Sequence, residues 1–216
     1  MDKRKIFAIG DIHGCKSHLE RLISELDIDA DRDILVFMGD YVDRGPDPKG
    51  VIDFIIDLKT NIKNVVCLSG NHEEMFLNYC LDRRDEELYM ANGGMRTLES
   101  YGFAREGTGE LILPENNREF FSGLRTYYET DEYIFVHAGL RPGIPLDRQE
   151  REDLIWIRFE FINSGDDFGK TVVYGHTPVS LDQPRIEKNK IGIDTGAVYG
   201  GKLTCVKLPD MKIYQV

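Results

Sequence analysis

Residues 6–14 read Ile-Phe-Ala-Ile-Gly-Asp-Ile-His-Gly, and residues 34–45 read Ile-Leu-Val-Phe-Met-Gly-Asp-Tyr-Val-Asp-Arg-Gly. Each is a short apolar run with the length and composition of a buried strand, closed by a glycine and then by polar residues. Between the two runs, Ser17 to Leu26 places Leu19, Leu22, Ile23 and Leu26 at helical spacing. Pro48 to Lys59 does the same with Val51, Ile52, Ile55 and Ile56, ahead of a third run at Val65 to Leu68. Strand, helix, strand, helix, strand predicts parallel strands joined by right-handed crossovers. The expected class is therefore α/β, with ligands gathered at the carboxyl ends of the strands. Further strands are expected at Tyr133 to Val136, Thr171 to Tyr174, Ile191 to Ile193, Leu203 to Leu208 and Lys212 to Val216. From Glu73 to Leu124 the pattern is mostly helical and polar, broken at Asn92-Gly93-Gly94 and around Gly107 to Gly109.

A chain of 216 residues with 41% hydrophobic content can bury one substantial core, so a single domain over residues 1–216 is expected. No apolar run approaches the roughly 18 residues of a membrane helix. Met1 to Lys5 leads directly into a strand-like segment, which predicts no secretory leader. Cys15, Cys67, Cys80 and Cys205 lack CxxC spacing and read as reduced thiols of a cytoplasmic protein. A monomer is expected. The formal charge of −11 disfavours a basic groove for nucleic acid, so any phosphate must be drawn by positive charge that is local.

The residues that follow the strands supply such a place: Gly10-Asp11-Ile12-His13-Gly14, Gly39-Asp40-Tyr41-Val42-Asp43-Arg44-Gly45, Gly70-Asn71-His72-Glu73, His137-Ala138-Gly139 and Gly175-His176-Thr177-Pro178. On a shared sheet edge these would converge. Imidazole nitrogen with carboxylate and amide oxygen suits Mn, Fe or Zn and fits Ca poorly. Asp11 and His13, two residues apart, can grip one ion, and Asp40 has two oxygens with which to bridge two. Asn71, His137 and His176 would complete the second ion's shell. Two dications with two ligand carboxylates and a hydroxide leave a net positive charge that attracts phosphate. Set roughly 3.5–4 Å apart, such ions lower the pKa of a shared water towards about 7 and clamp an in-line displacement at phosphorus. Arg44 can grip phosphate oxygens as a fork. His72 is placed to give a proton to the leaving oxygen, with Asp43 to orient it.

In this order, the GDIHG, GDYVDRG, GNHE, HAG and GHTP segments resemble the calcineurin-like metallophosphoesterases, and most of all the compact bacterial and bacteriophage form of their phosphoprotein phosphatase branch. The resemblance spans Gly10 to about Gly196. It implies a β-sandwich of mixed sheets flanked by helices, around a two-metal centre that is usually Mn in bacterial members. By the same resemblance, Asp11, His13 and Asp40 hold one ion, and Asp40, Asn71, His137 and His176 the other. His72 is the general acid and Asp43 its partner, while Arg44 and Asn71 contact the substrate phosphate. Trp156-Ile157-Arg158 resembles the segment that supplies a second phosphate-binding arginine, Arg158.

The expected activity is hydrolysis of phosphomonoesters on serine or threonine of phosphoproteins, with dual specificity for tyrosine left open. The alternative is a dinucleoside polyphosphate hydrolase of the symmetrical type. Asp43, Glu73 and the short segment between His137 and His176 favour the phosphatase. A non-catalytic metal- or phosphate-binding module would lack a ligand or the general acid, and every matched position is filled. Other residues have plainer readings: His18 as a solvated helix residue, Cys15 as a packing residue, and Asp82 to Glu87 as a solvated helix face. Arg158 has a rival reading as a snorkelling surface arginine. Tyr199, in a glycine-rich turn, stands between reaching the site and packing within its turn.

Overall fold

Alternate residues of the first strand point to different layers, and the layers follow from that. A computed structural model describes residues 4–102 and 111–216. It places β1 at Ile6–Ile9, with all of its residues buried. Successive strand side chains face opposite ways, so Ile6 and Ala8 enter one apolar cluster and Phe7 and Ile9 another. Over Phe7 and Ile9 lie α1 (Lys16–Glu25) and α2 (Pro48–Asn61), through Leu19, Leu22, Val51, Ile52 and Ile55. Burial on both faces explains why the sequence reads as unbroken apolar runs rather than alternating ones.

The chain continues through β2 (Ile34–Phe37), β3 (Val65–Cys67), α3 (Asn71–Asp82), α4 (Glu86–Ala91), α5 (Met95–Ser100) and α6 (Glu115–Ser122). It then runs through β4 (Tyr127–Glu129), β5 (Tyr133–Val136), α7 (Arg151–Trp156), α8 (Phe159–Ile162), β6 (Thr171–Tyr174), β7 (Arg185–Ile186), β8 (Lys190–Gly192), β9 (Thr204–Leu208) and β10 (Lys212–Gln215). Two mixed sheets result, in the orders β10-β9-β1-β2-β3 and β4-β5-β6-β8-β7. The pairs β1–β2, β2–β3, β5–β6 and β6–β8 are parallel. Between the sheets Ile6, Ala8, Ile34, Val36 and Met38 meet Phe135, Val173, Ile191 and Ile193. On the far side of the second sheet, Ile134, Val136, Val172 and Tyr174 pack with Leu154, Ile155 and Phe161 of α7 and α8.

The architecture is the expected sandwich flanked by helices. The edge strands β4 and β7 were not expected. Neither carries an apolar alternation, and each exists by antiparallel pairing with a neighbour. The anticipated break around Gly107 to Gly109 lies outside the described residues. Among the described residues, no helix is long and apolar enough to cross a membrane.

Phe37 is fully buried on the helix-covered face of the first sheet. Phe37→Ala is expected to cost about 3–5 kcal/mol of stability. In urea unfolding this appears as a lower midpoint with an unchanged slope.

Candidate metal centre

Each predicted motif leaves the carboxyl end of a parallel strand, and the backbone there bends sharply. His13 (φ 44), Asp40 (φ 52), Asp43 (φ 69), Arg44 (φ 65) and His176 (φ 63) all take the left-handed conformation. For such residues this costs on the order of 1–3 kcal/mol each and persists only where the surroundings impose it. Here the surroundings do. Ile12 and His13 N–H donate to the Asp40 carbonyl at 3.1 and 2.8 Å, and Gly14 N–H donates to that of Tyr41 at 2.8 Å. The buried Glu73 carboxylate accepts from the N–H groups of Gly70 (2.9 Å), Asp40 (2.9 Å), Tyr41 (2.8 Å) and Val42 (3.3 Å). Gly70 cannot carry a side chain, because a Cβ there would collide with Asp40 Oδ1.

The ligand atoms fall into two groups that share Asp40. His13, Asp40 and His72 form one, and Asp40, His137 and His176 the other, with the atoms of each within 4.8 Å of one another. His13 Nε2 lies 3.4 Å from Asp40 Oδ2, and His137 Nε2 lies 3.4 Å from Asp40 Oδ1. One oxygen thus serves each side. The tautomers follow from the outer hydrogen bonds: His13 Nδ1 donates to the Val42 carbonyl and His137 Nδ1 to that of Met38, both at 2.8 Å. Each Nε2 is therefore a lone pair turned inward. His137 Nε2 then faces Asn71 Oδ1 at 3.1 Å and His176 Nδ1 at 3.2 Å, besides Asp40. Acceptors gathered this closely in a buried site call for a cation. Nitrogen with carboxylate and amide oxygen fits Mn, Fe or Zn.

Asp11 stands beside these groups rather than within either. Its Oδ2 accepts from His176 N–H at 2.9 Å, and its buried Oδ1 has no partner. Burial, then the charges of Asp194 and Asp40, push its carboxyl well up. Burial likewise pushes His13 down to about 3, His176 down to about 2, and His137 below the ordinary range. These imidazoles are neutral, the form that binds metal. Burial works against the charge of Asp40 as well, but in the acid range where the surrounding histidines take up protons their charge, that of His137 foremost, holds it below the usual carboxylate range.

His72 is different. Its Nδ1 donates to Asp43 Oδ2 at 2.6 Å, and its Nε2 is buried with no protein partner. Asp43 Oδ1 in turn accepts from Tyr89 Oη at 3.1 Å and Thr97 Oγ1 at 2.5 Å. Burial opposes the charge on His72. The Asp40 charge and the Asp43 hydrogen bond outweigh it and raise the pKa above the ordinary histidine value. Tyr89 and Thr97 escaped the sequence reading because they lie on α4 and α5, inside the polar helical stretch, where nothing local marks them. Asp194, buried and pushed up to about 6 by that burial, was missed as well.

The two arginines are placed differently. Arg44 Nη1 lies 2.7 Å from His13 Nε2, so this guanidinium supplies positive charge to that lone pair. Arg158 donates from Nη1 to the His176 carbonyl and to Thr177 Oγ1, both at 3.2 Å, and is exposed at the rim. Tyr199 does reach the site: the Arg44 guanidinium sits 5.5 Å from its ring centre, and the residue is 54% exposed. Cys15 is buried and packs in the core, and burial raises its thiol pKa. Asp43 and Glu73, which carried the substrate expectation, are each 0% exposed. Asp43 serves His72 and Glu73 serves the backbone, so neither is placed to read a substrate.

Residues 4–206 match the family model of the calcineurin-like phosphoesterases. The chain belongs to that family. Among proteins similar to this calcineurin-like phosphoesterase is the asymmetrical bis(5'-nucleosyl)-tetraphosphatase PrpE of Bacillus cereus strain Q1, 30% identical over 233 positions. That match covers 96% of this chain and 92% of the relative. The same enzyme of Bacillus mycoides strain KBAB4 is also 30% identical, with the same coverage. A solved structure of a candidate diadenosine tetraphosphatase superposes with a TM-score of 0.74 at 25% identity, covering 99% of this chain and 93% of that one. A cold-active protein-tyrosine phosphatase of a Shewanella species shares the fold, with a TM-score of 0.60 at 19% identity and coverage of 99% and 80%.

For this phosphoesterase, His137→Ala is expected to remove one metal-binding position and Asp40→Ala to weaken both. Elemental analysis after dialysis against limiting Mn checks this, with wild type near two ions per chain, His137→Ala near one and Asp40→Ala lowest.

Proposed function

We propose that the chain hydrolyses dinucleoside polyphosphates in a metal-dependent reaction, splitting the chain of phosphates asymmetrically. The observation that carries the chemistry is the His72–Asp43 pair, with Nδ1 held at 2.6 Å and Nε2 left buried and unpaired beside the ligand groups. A phosphoryl-transfer site needs such a proton donor, aimed at the leaving oxygen.

Asp11, His13, Asp40, Asn71, His137 and His176 are the residues that would hold the ions, two in number and most simply Mn. When bound, these supply Lewis-acid charge and an acidified water. The protein's own part is positional. Asp43 fixes the His72 ring and keeps Nδ1 protonated, so the proton that moves is the one on Nε2. As the P–O bond breaks, the departing oxygen takes that proton, while water provides the new oxygen on phosphorus. Arg44 and Arg158 flank the groups from opposite sides and offer forks to phosphate oxygens. Asn71 and His72 open α3, whose amino end adds partial positive charge.

Support for the substrate class comes from the tetraphosphatases to which the chain is similar over nearly its full length. A second reading, a Ser/Thr or dual-specificity phosphoprotein phosphatase, is favoured by the strength of the acid pair. An alkoxide leaving group needs a proton more than a phosphate leaving group does.

Side-by-side assay of diadenosine tetraphosphate and a phosphoserine peptide with Mn decides between the two: the proposal expects the tetraphosphate to win by orders of magnitude in kcat/KM, and the reverse order defeats it. His72→Asn is expected to slow turnover by about 10²–10⁴-fold with metal content intact. The loss should be smaller on the tetraphosphate than on the phosphoserine peptide, whose alkoxide leaving group needs the proton more.

A further inference from the structure

Arg44 borders two spaces. One is the ligand cluster, through His13. The other is a cavity of about 560 Å³ lined by Cys15, His18, Arg44, Arg96, Val198 and the backbone of Gly200 among others. This volume falls within the range of sites that hold small ligands.

Its charge is unlike that of three other cavities. Arg44, Arg96 and His18 line it, and among the described residues no carboxylate does. Those three carry more acidic than basic groups: Glu129, Asp131 and Glu132 with Arg4 near β4, Asp166 and Asp167 behind Ile144, and Glu150, Glu152, Asp153 and Glu160 with Arg141 and Arg158 along α7 and α8. In a chain of net charge −11, a cavity beside the ligand cluster lined by two arginines and a histidine offers local positive charge to an anion. Arg96 contributes to it because its ion pair, with Glu99, is long at 3.8 Å and exposed, and such pairs hold a side chain weakly. Beside Arg44 stands the exposed Tyr199 ring, an aromatic face of the kind on which bases stack.

Arg44 thus joins the ligand cluster to this cavity. We infer that the cavity is the subsite for the part of the substrate beyond the scissile bond. Arg44 is shared between the two spaces, Arg96 binds the outer phosphates, and Tyr199 carries the base. This deepens the dinucleoside polyphosphate reading and rests on it for the substrate, while the subsite itself is tested separately by inhibition.

The experiment uses the full Mn-loaded chain as wild type, Arg96→Ala and Tyr199→Ala. The readouts are kcat/KM for diadenosine tetraphosphate and for p-nitrophenyl phosphate, and inhibition of the latter reaction by ATP and by inorganic tripolyphosphate. Arg96→Ala is expected to lower the tetraphosphate-to-nitrophenyl ratio about tenfold and to weaken inhibition by both anions about tenfold, the loss of one charge-assisted contact. Tyr199→Ala is expected to weaken ATP and spare tripolyphosphate. The inference is overturned if Arg96→Ala scales both substrates alike and leaves inhibition at wild-type strength. If the tetraphosphate is not hydrolysed but Arg96→Ala still weakens ATP inhibition, the subsite stands and the proposed substrate falls. If the tetraphosphate is cleaved and neither variant changes the ratio or the inhibition, the substrate stands and the subsite falls.

Discussion

The buried carboxylate of Glu73 is the joint on which the site depends. Its oxygens accept N–H groups from two loops at once, Gly70 after β3 and Asp40, Tyr41 and Val42 after β2. Burial and the Asp40 charge push this carboxyl up to about 7, against the N–H donors that favour its ionised form. The arrangement holds Asp40 in a left-handed conformation that it would not otherwise keep. Only from that position do the two oxygens of Asp40 face His13 on one side and His137 on the other. Without Glu73 those amides would be buried without acceptors, at about 1–3 kcal/mol each.

The electrostatics of the centre oppose folding in the absence of ions. Asp11, Asp40 and Asp194 are buried close together, and the imidazoles among them are held neutral. Such an arrangement carries a desolvation cost that a cation relieves, so stability given up locally becomes affinity for metal. Arg44 already supplies part of the positive charge at His13.

Chemistry and selectivity reside in different layers of the site. The His72–Asp43–Thr97–Tyr89 chain is buried, and in the proposed reaction it would serve any leaving group that needs a proton. In the proposed reading, one phosphate compound is distinguished from another at the rim, by exposed groups such as Arg96, Arg158 and Tyr199. Rim residues come from turns and very short helices whose sequences carry little periodic signal, so substrate identity is the part of function least visible in short motifs.

Much was legible beforehand because strands buried on both faces leave unbroken apolar runs, and because the ligand loops follow them directly. The edge strands β4 and β7 were not legible, since pairing with a neighbour rather than their own composition defines them. Nor were Tyr89 and Thr97, which stand 46 and 54 residues from Asp43 and meet it only because α4 and α5 fold back over the site. By itself the sequence determined the layered fold and the types of residue at the strand ends, since periodicity and ligand chemistry are local properties. Tertiary structure alone decided how those residues face one another: that Asp40 offers one oxygen to each side, that Glu73 is a brace for backbone amides rather than a reader of substrate, and that Arg44 opens onto a second cavity. These depend on distances between segments far apart in the chain, which no local pattern encodes.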